Sequence, residues 1–278
     1  MTALRAAVAA CLLIPALGSA ATTEIRFLRD GAVVKRVDLE TLKKKCELAA
    51  VVIEDPYYKK KKTFLALPLK QVLALGFERK PAELAHEDFL FEALDGYVKP
   101  AAGARVLEDG GYLAFADADR THDGQPGWEP IDRRQLDPGP YYIVWSKPDQ
   151  SDAKGYPWPY QLAAIEIVHF EKKYPFTLPG GVAEDSPAWR GFRTFREQCI
   201  SCHSVNGQGG KIGPDLNVPK SIVEYRPIDQ VKAYIRDPET FRYSSMPAHH
   251  ELSDAQLDEL IAYFSTMKTR KHDPGPPK

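Results

Sequence analysis

The sequence predicts a two-domain α+β chain, with a strand-rich N-terminal domain over residues 21–173 and an all-α C-terminal domain over 188–270. Three observations lead there. Short β-branched and aromatic runs, separated by turn residues, fill the chain to about residue 172 and include only one or two helical patterns. The stretch 174-YPFTLPGGVAEDSP-187 then carries three prolines and two glycines, which disfavour regular structure and suit a linker. Beyond it, 188-AWRGFRTFREQC-199 and 252-LSDAQLDELIAYFSTMK-268 have the apolar spacing of helices.

In chain order, residues 1–20, MTALRAAVAACLLIPALGSA, combine one basic residue, Arg5, an apolar run through Leu17 and small residues Gly18 and Ala20. This is the layout of a secretory signal peptide, typically about 15–30 residues long, and predicts an exported, periplasmic protein. The apolar run falls short of the roughly 20 residues a spanning helix needs. No later segment comes closer, so no integral membrane segment is expected. Val8-Ala9-Ala10-Cys11 loosely resembles a lipoprotein cleavage box, but the apolar run continues through Leu12, Leu13 and Ile14, leaving Cys11 inside it.

Residues 24-EIRFLRDGAVVKRVD-38 predict two strands joined at Asp30-Gly31, with Asp38 capping a short helix over 39–46. A strand follows in 51-VVIEDPYY-58, broken by Pro56, and a helix in 67-LPLKQVLALGF-77. Further extended runs are 88-DFLFEAL-94, 112-YLAFAD-117, 140-PYYIVWS-146 and 162-LAAIEIVHF-170. In the C-terminal domain, Phe192, Phe195 and Cys199 share a helix face, and Ser253 or Asp254 could cap the last helix. The tail 271-KHDPGPPK-278 is expected to be disordered.

The formal charge is −1, and neither domain is strongly polarised, so bulk binding to nucleic acid is not expected. Outside the leader the cysteines are Cys46, Cys199 and Cys202, the last two in 199-CISCH-203. C-x-x-C-H is the attachment signature of c-type haem. Helical positions three apart lie on one face, so both sulfurs can meet one porphyrin edge, and the adjacent His203 can swing beneath the iron. A redox dithiol would usually open a helix after a strand, whereas here a helical pattern precedes the pair. A zinc site would need a fourth ligand, and a plain disulfide would leave His203 unexplained. For the other face of the iron, Met246 lies in the loop-like 243-YSSMPAHH-250, whereas Met267 falls near the end of the last helix and suits packing. His249 and His250 are rivals for that position.

Residues 187–268 resemble a class I cytochrome c, through a first helix with Gly191 and Phe195, 199-CISCH-203, 213-GPDLN-217, 246-MP-247 and a last helix with Tyr263. The resemblance implies one covalent haem c, with His203 and Met246 ligating its iron. It also implies that the Pro214 carbonyl accepts a hydrogen bond from the His203 ring, and that Gly191 lets the terminal helices cross closely near Tyr263. With both axial positions filled, the chemistry implied is one-electron transfer.

In the N-terminal domain, 64-FLALPLKQVLALGF-77, 91-FEALDGYVKP-100, 138-PGPYYIVW-145 and 157-PWPYQLAAIEI-167 resemble the molybdopterin-binding domain of the sulfite oxidase superfamily. That family binds molybdenum through a cysteine just after the strand preceding the "PL" helix. The corresponding 51-VVIEDPYYKKKKTF-64 has none, and Cys46 lies on the near side of that strand, so a molybdopterin is not expected. Cys46 suits a small buried residue. The run Lys59–Lys62 suits a solvated loop or, alternatively, a docking patch for an acidic redox partner. His86, His122 and His169 are scattered, and Asp117, Asp119 and Asp123 lack the full ligand set of a calcium loop. The aromatics of 141-YYIVW-145 and 156-YPWPY-160 suit core and edge packing.

The expected function is an exported carrier passing single electrons between a periplasmic redox protein or dehydrogenase and an acceptor. Catalytic activity stays open, with electron carriage favoured and the first domain a docking or structural module. The alternatives are a molybdopterin-dependent oxidoreductase with a fused haem acceptor, and a haem-based gas or redox sensor.

Overall fold

The computed structural model describes residues 23–122, 125–131, 135–153 and 155–275, and it shows a strand-rich N-terminal region followed by a helical C-terminal region. The expected signal peptide, Cys11 and Asp123 lie outside the described residues.

The chain opens with a hairpin, β1 (Glu24–Arg29) and β2 (Ala32–Asp38), turning where Asp30 and Gly31 take φ of 45° and 87°. The Asp38 carboxylate caps α1 (Leu39–Lys45) by accepting from the Thr41 N–H at 2.6 Å. Strands β3 (Ala49–Asp55) and β4 (Lys60–Pro68) pair antiparallel, and α2 (Leu69–Phe77) and the short α3 (Pro81–Leu84) follow. Next come β5 (Asp88–Ala93), β6 (Val98–Ala102), α4 (Gly103–Val106), β7 (Gly111–His122), β8 (Gln125–Gly127), β9 (Tyr142–Trp145) and β10 (Leu162–Val168). They form two sheets. One has the order β2-β1-β10-β5-β6, and the other runs β3-β4-β7-β8 with β9 also paired to β7.

The run Lys59–Lys62 differs from the expected loop. Lys60 to Lys62 open β4, and their charges are matched locally: Lys60 pairs with Glu129 at 2.7 Å, and Lys61 with Glu54 at 3.7 Å. Lys62 is 4% exposed and bonded to both Asp117 and Glu129. The strand's period of two turns residue 62 inward with Phe64 and Ala66, so the like-charged run divides between two faces.

Strand β10 is buried along its whole length. Its neighbour β5 shows why. Phe89 and Phe91 join a core with Phe27, Phe64, Ile165 and Trp158, while Leu90 joins a second core with Val168 and residues of the C-terminal region. A strand covered on both faces needs a near-continuous apolar run.

The proline-rich stretch is held in place. After α5 (Phe170–Lys173), Tyr174 is buried in the second core, and the Thr177 carbonyl accepts from the Tyr263 hydroxyl at 2.8 Å. The start of the tail is also anchored: the His272 ring stacks on Phe176 with centroids 3.7 Å apart, and Lys271 pairs with Glu224 at 2.6 Å, while residues 276–278 lie outside the described residues.

The C-terminal region comprises α6 (Pro187–Thr194), a π-turn at Phe195–Cys199, the hairpin β11 (Ser204–Val205) and β12 (Gln208–Gly209), α7 (Ile222–Tyr225), α8 (Ile228–Arg236) and α9 (Asp254–Met267). Helices α6 and α9 cross at Gly191, where a Cβ would stand 1.9 Å from the Glu259 carbonyl oxygen. This is about one turn before Tyr263, which packs on Phe192 and Phe195 at 5.8 and 5.4 Å. Among the described residues no helix is long and apolar enough to cross a membrane.

Candidate haem attachment site

Helix α6 starts where Ser186 Oγ accepts from the Trp189 N–H and Pro187 occupies the first turn, a position that needs no donor. It leads into the π-turn, closed by the Ile200 N–H on the Phe195 carbonyl at 2.9 Å. The Cys199 carbonyl then accepts from both the Cys202 and His203 N–H groups, at 3.1 and 2.9 Å. One compact turn therefore holds Cys199, Cys202 and His203, and the two cysteines are not joined to each other by a disulfide.

Two contacts orient His203. Its Nδ1 lies 2.9 Å from the Pro214 carbonyl oxygen, an acceptor only, so Nδ1 carries the proton and Nε2 keeps its lone pair. The ring also lies against the Gly213 backbone, where a Cβ would meet Cε1 at 2.4 Å. Burial holds the imidazole pKa below its ordinary value, which favours the neutral, ligating form. Burial likewise pushes the Cys199 thiol up to about 12. The donor set and its orientation fit haem c.

Met246 is half-buried against the second core, its N–H donating to Ser244 Oγ at 3.1 Å. Met267 is 1% exposed within that core. Of the rival histidines, His249 is buried with Nδ1 3.1 Å from Glu251, and His250 is exposed.

Residues from the N-terminal region close round the motif, and these the sequence reading missed. The Val98 N–H of β6 donates to the carbonyl of Ser201, inside CISCH, at 3.1 Å, and the Lys211 N–H donates to Gly96 at 3.0 Å. Tyr57, Tyr97 and Lys99 of the N-terminal region lie within electrostatic range of the Cys202 position. Tyr57 is 37% exposed, yet desolvation of its surroundings raises its phenol pKa. The available signal was 95-DGYVK-99, the turn into β6.

Cys46 is buried in the first core, where burial raises its thiol pKa. His86 is exposed, and His169 sits 3.2 Å from Asp30 at the surface. Among the described residues no group of three or more His, Cys, Asp or Glu side chains is placed to hold a metal ion.

Comparison with known proteins places this motif in a family. Residues 188–268 match the family Cytochrome c, and the C-terminal region is a cytochrome c domain, the mark of an electron-transfer haem protein. The chain is also similar to cytochrome c oxidase subunit 2 of Alkalihalophilus pseudofirmus, 32% identical over 121 residues that cover 38% of this chain and 35% of that protein. The chain thus spans about a third of the length of that relative.

Proposed function

We propose that this chain is an exported single-electron carrier whose one haem c is bound covalently by Cys199 and Cys202. In this reading His203 and Met246 are the axial ligands, and Pro214 fixes the imidazole. Residues 21–173 form a docking or structural domain, 174–187 the connection and 188–270 the haem domain, working between periplasmic redox partners.

The observation that carries the reading is the hydrogen bond from His203 Nδ1 to Pro214, which aims a neutral nitrogen away from the protein acceptor beside two thiols of one turn. Bound there, haem c supplies one-electron exchange. A thioether from Met246 favours the reduced state and raises the potential. The sulfite-oxidase likeness of the first domain stays part of the proposal as a fold. Cys46, enclosed by apolar side chains, is unsuited to be a molybdenum thiolate, and this favours the carrier over the molybdopterin enzyme.

The test is cofactor analysis of full-length protein matured in an exporting host. One haem resistant to acid-acetone extraction is expected, with no stoichiometric molybdenum. Met246→Ala should abolish the weak near-infrared sulfur-to-iron absorption. A colourless protein, or about one molybdenum per iron, would overturn the reading.

A further inference from the structure

Beside the π-turn, the two regions of the chain enclose a recess of about 270 Å³, lined by Lys99, Ala102 and Arg105 from one side and by Glu197 and Gln198 from the other. Gln198 immediately precedes Cys199. We propose that this recess binds a small oxyanion, a phosphate-type or dicarboxylate dianion, and that its occupancy is coupled to the oxidation state of the haem, an inference that rests on the electron-carrier reading for its redox half.

An ammonium withdrawn from water without a counter-charge is costly, so proteins pair such groups or keep them for a ligand. Lys99 is half-buried and has no hydrogen bond or ion pair among the described residues; neither has the Gln198 amide. Burial lowers the Lys99 pKa, with Cys202 and Asp152 acting against that shift. Arg105 is held by packing over the Tyr156 ring at 4.4 Å and by Glu108 at 3.3 Å, so its guanidinium is fixed and partly neutralised. Glu197 is the acidic side chain of the lining, and it forms no ion pair with either cation. With Lys99, Arg105 and the Gln198 amide against the single carboxylate of Glu197, the lining has a surplus of donors and suits a planar or tetrahedral oxyanion.

The recess is lined by Gln198, the residue before Cys199, so a bound negative charge would lie close to the haem attachment turn. Oxidised haem carries one more positive charge than reduced haem. It should therefore hold the anion more tightly, and by linkage the anion should lower the midpoint potential by the same factor. A coupling of about fivefold is expected, equivalent to about 40 mV for a one-electron couple.

The experiment titrates inorganic phosphate, and separately succinate, into full-length haem-loaded protein against chloride at matched ionic strength. Calorimetry reads binding, and mediated redox titration reads the potential. Saturable binding of at least one anion is expected, with a fall in midpoint potential at saturation, and the preferred anion identifies the source. Lys99→Met should weaken binding at least tenfold. Ala102→Leu, which fills the recess and removes no charge, should do the same if Lys99→Met fails to fold. Haem-loaded wild type that binds neither anion, or binding unchanged in a folded variant, overturns this proposal alone. Protein without covalent haem overturns the electron-carrier reading instead, while calorimetry still reports on the anion. Binding with an unmoved potential overturns the redox coupling.

Discussion

At the scale of single residues, electrostatic pairing decides what Lys60 and Lys62 do. Hydrogen bonds first from Lys60 and then from Lys62 hold the Glu129 carboxyl down from 4.5 to about 2. A pKa lowered by folding stabilises the folded state above the unfolded value, and the benefit is lost as the pH falls from about 4.5 towards about 2. The stability difference between wild type and Glu129→Gln should therefore be full near neutrality and shrink across that acid window, as read by urea denaturation at stepped pH. A difference independent of pH would refute the assignment. The sequence made the chemistry of CISCH legible because its chemical constraint is local: two sulfurs and a nitrogen within one turn. It concealed the partners of Lys62, because both are distant in sequence: Asp117 meets it through the pairing of β4 with β7, and Glu129 from the stretch just after β8.

At the scale of elements, signals carried by a few adjacent residues were readable and signals carried by tertiary placement were not. The Asp30-Gly31 turn, the Asp38 cap and the Ser253 cap each act within a few residues, and each is present. Strand β4 was missed because a charged run obscured its alternation, and β6 because Pro100 interrupts a short edge strand. Helix α8 escaped notice because it buries only Val231 and Ile235, one turn apart, too narrow a stripe to stand out. The crossing of α6 and α9 was foreseen through Gly191, although the backbone contact falls on Glu259 and Leu260. Replacing Gly191 with alanine should push the helices apart and cost at least the upper end of the about 1–3 kcal/mol typical of overpacking. Thermal melting followed at the haem band would measure it, and an unchanged midpoint would show that the crossing tolerates a methyl group.

At the scale of the whole molecule, the two regions are joined by more than a connection. Leu90 lies on a strand of the N-terminal sheet yet packs in the core of the cytochrome c domain, and Arg196 reaches back to cover the Phe170 ring at 4.2 Å and approach Asp88 at 3.4 Å. Leu90→Ala should cost about 2–5 kcal/mol, the usual range for a buried leucine, and lower the melting point seen at the haem and in the far ultraviolet together. Two separate transitions, with only one displaced, would show that the regions unfold independently. The hydrogen bond between Val98 and Ser201 bears on the open edge of the N-terminal sheet. Strand β6 is the outer member of its sheet, and the attachment loop occupies part of its open side. An uncovered edge strand offers unpaired backbone groups to other chains, and the loop satisfies one of them here. In the proposed reading, the loop that covers this strand edge is also the one that carries the haem-binding cysteines, so the same few residues serve both the cofactor and the seam between the two regions.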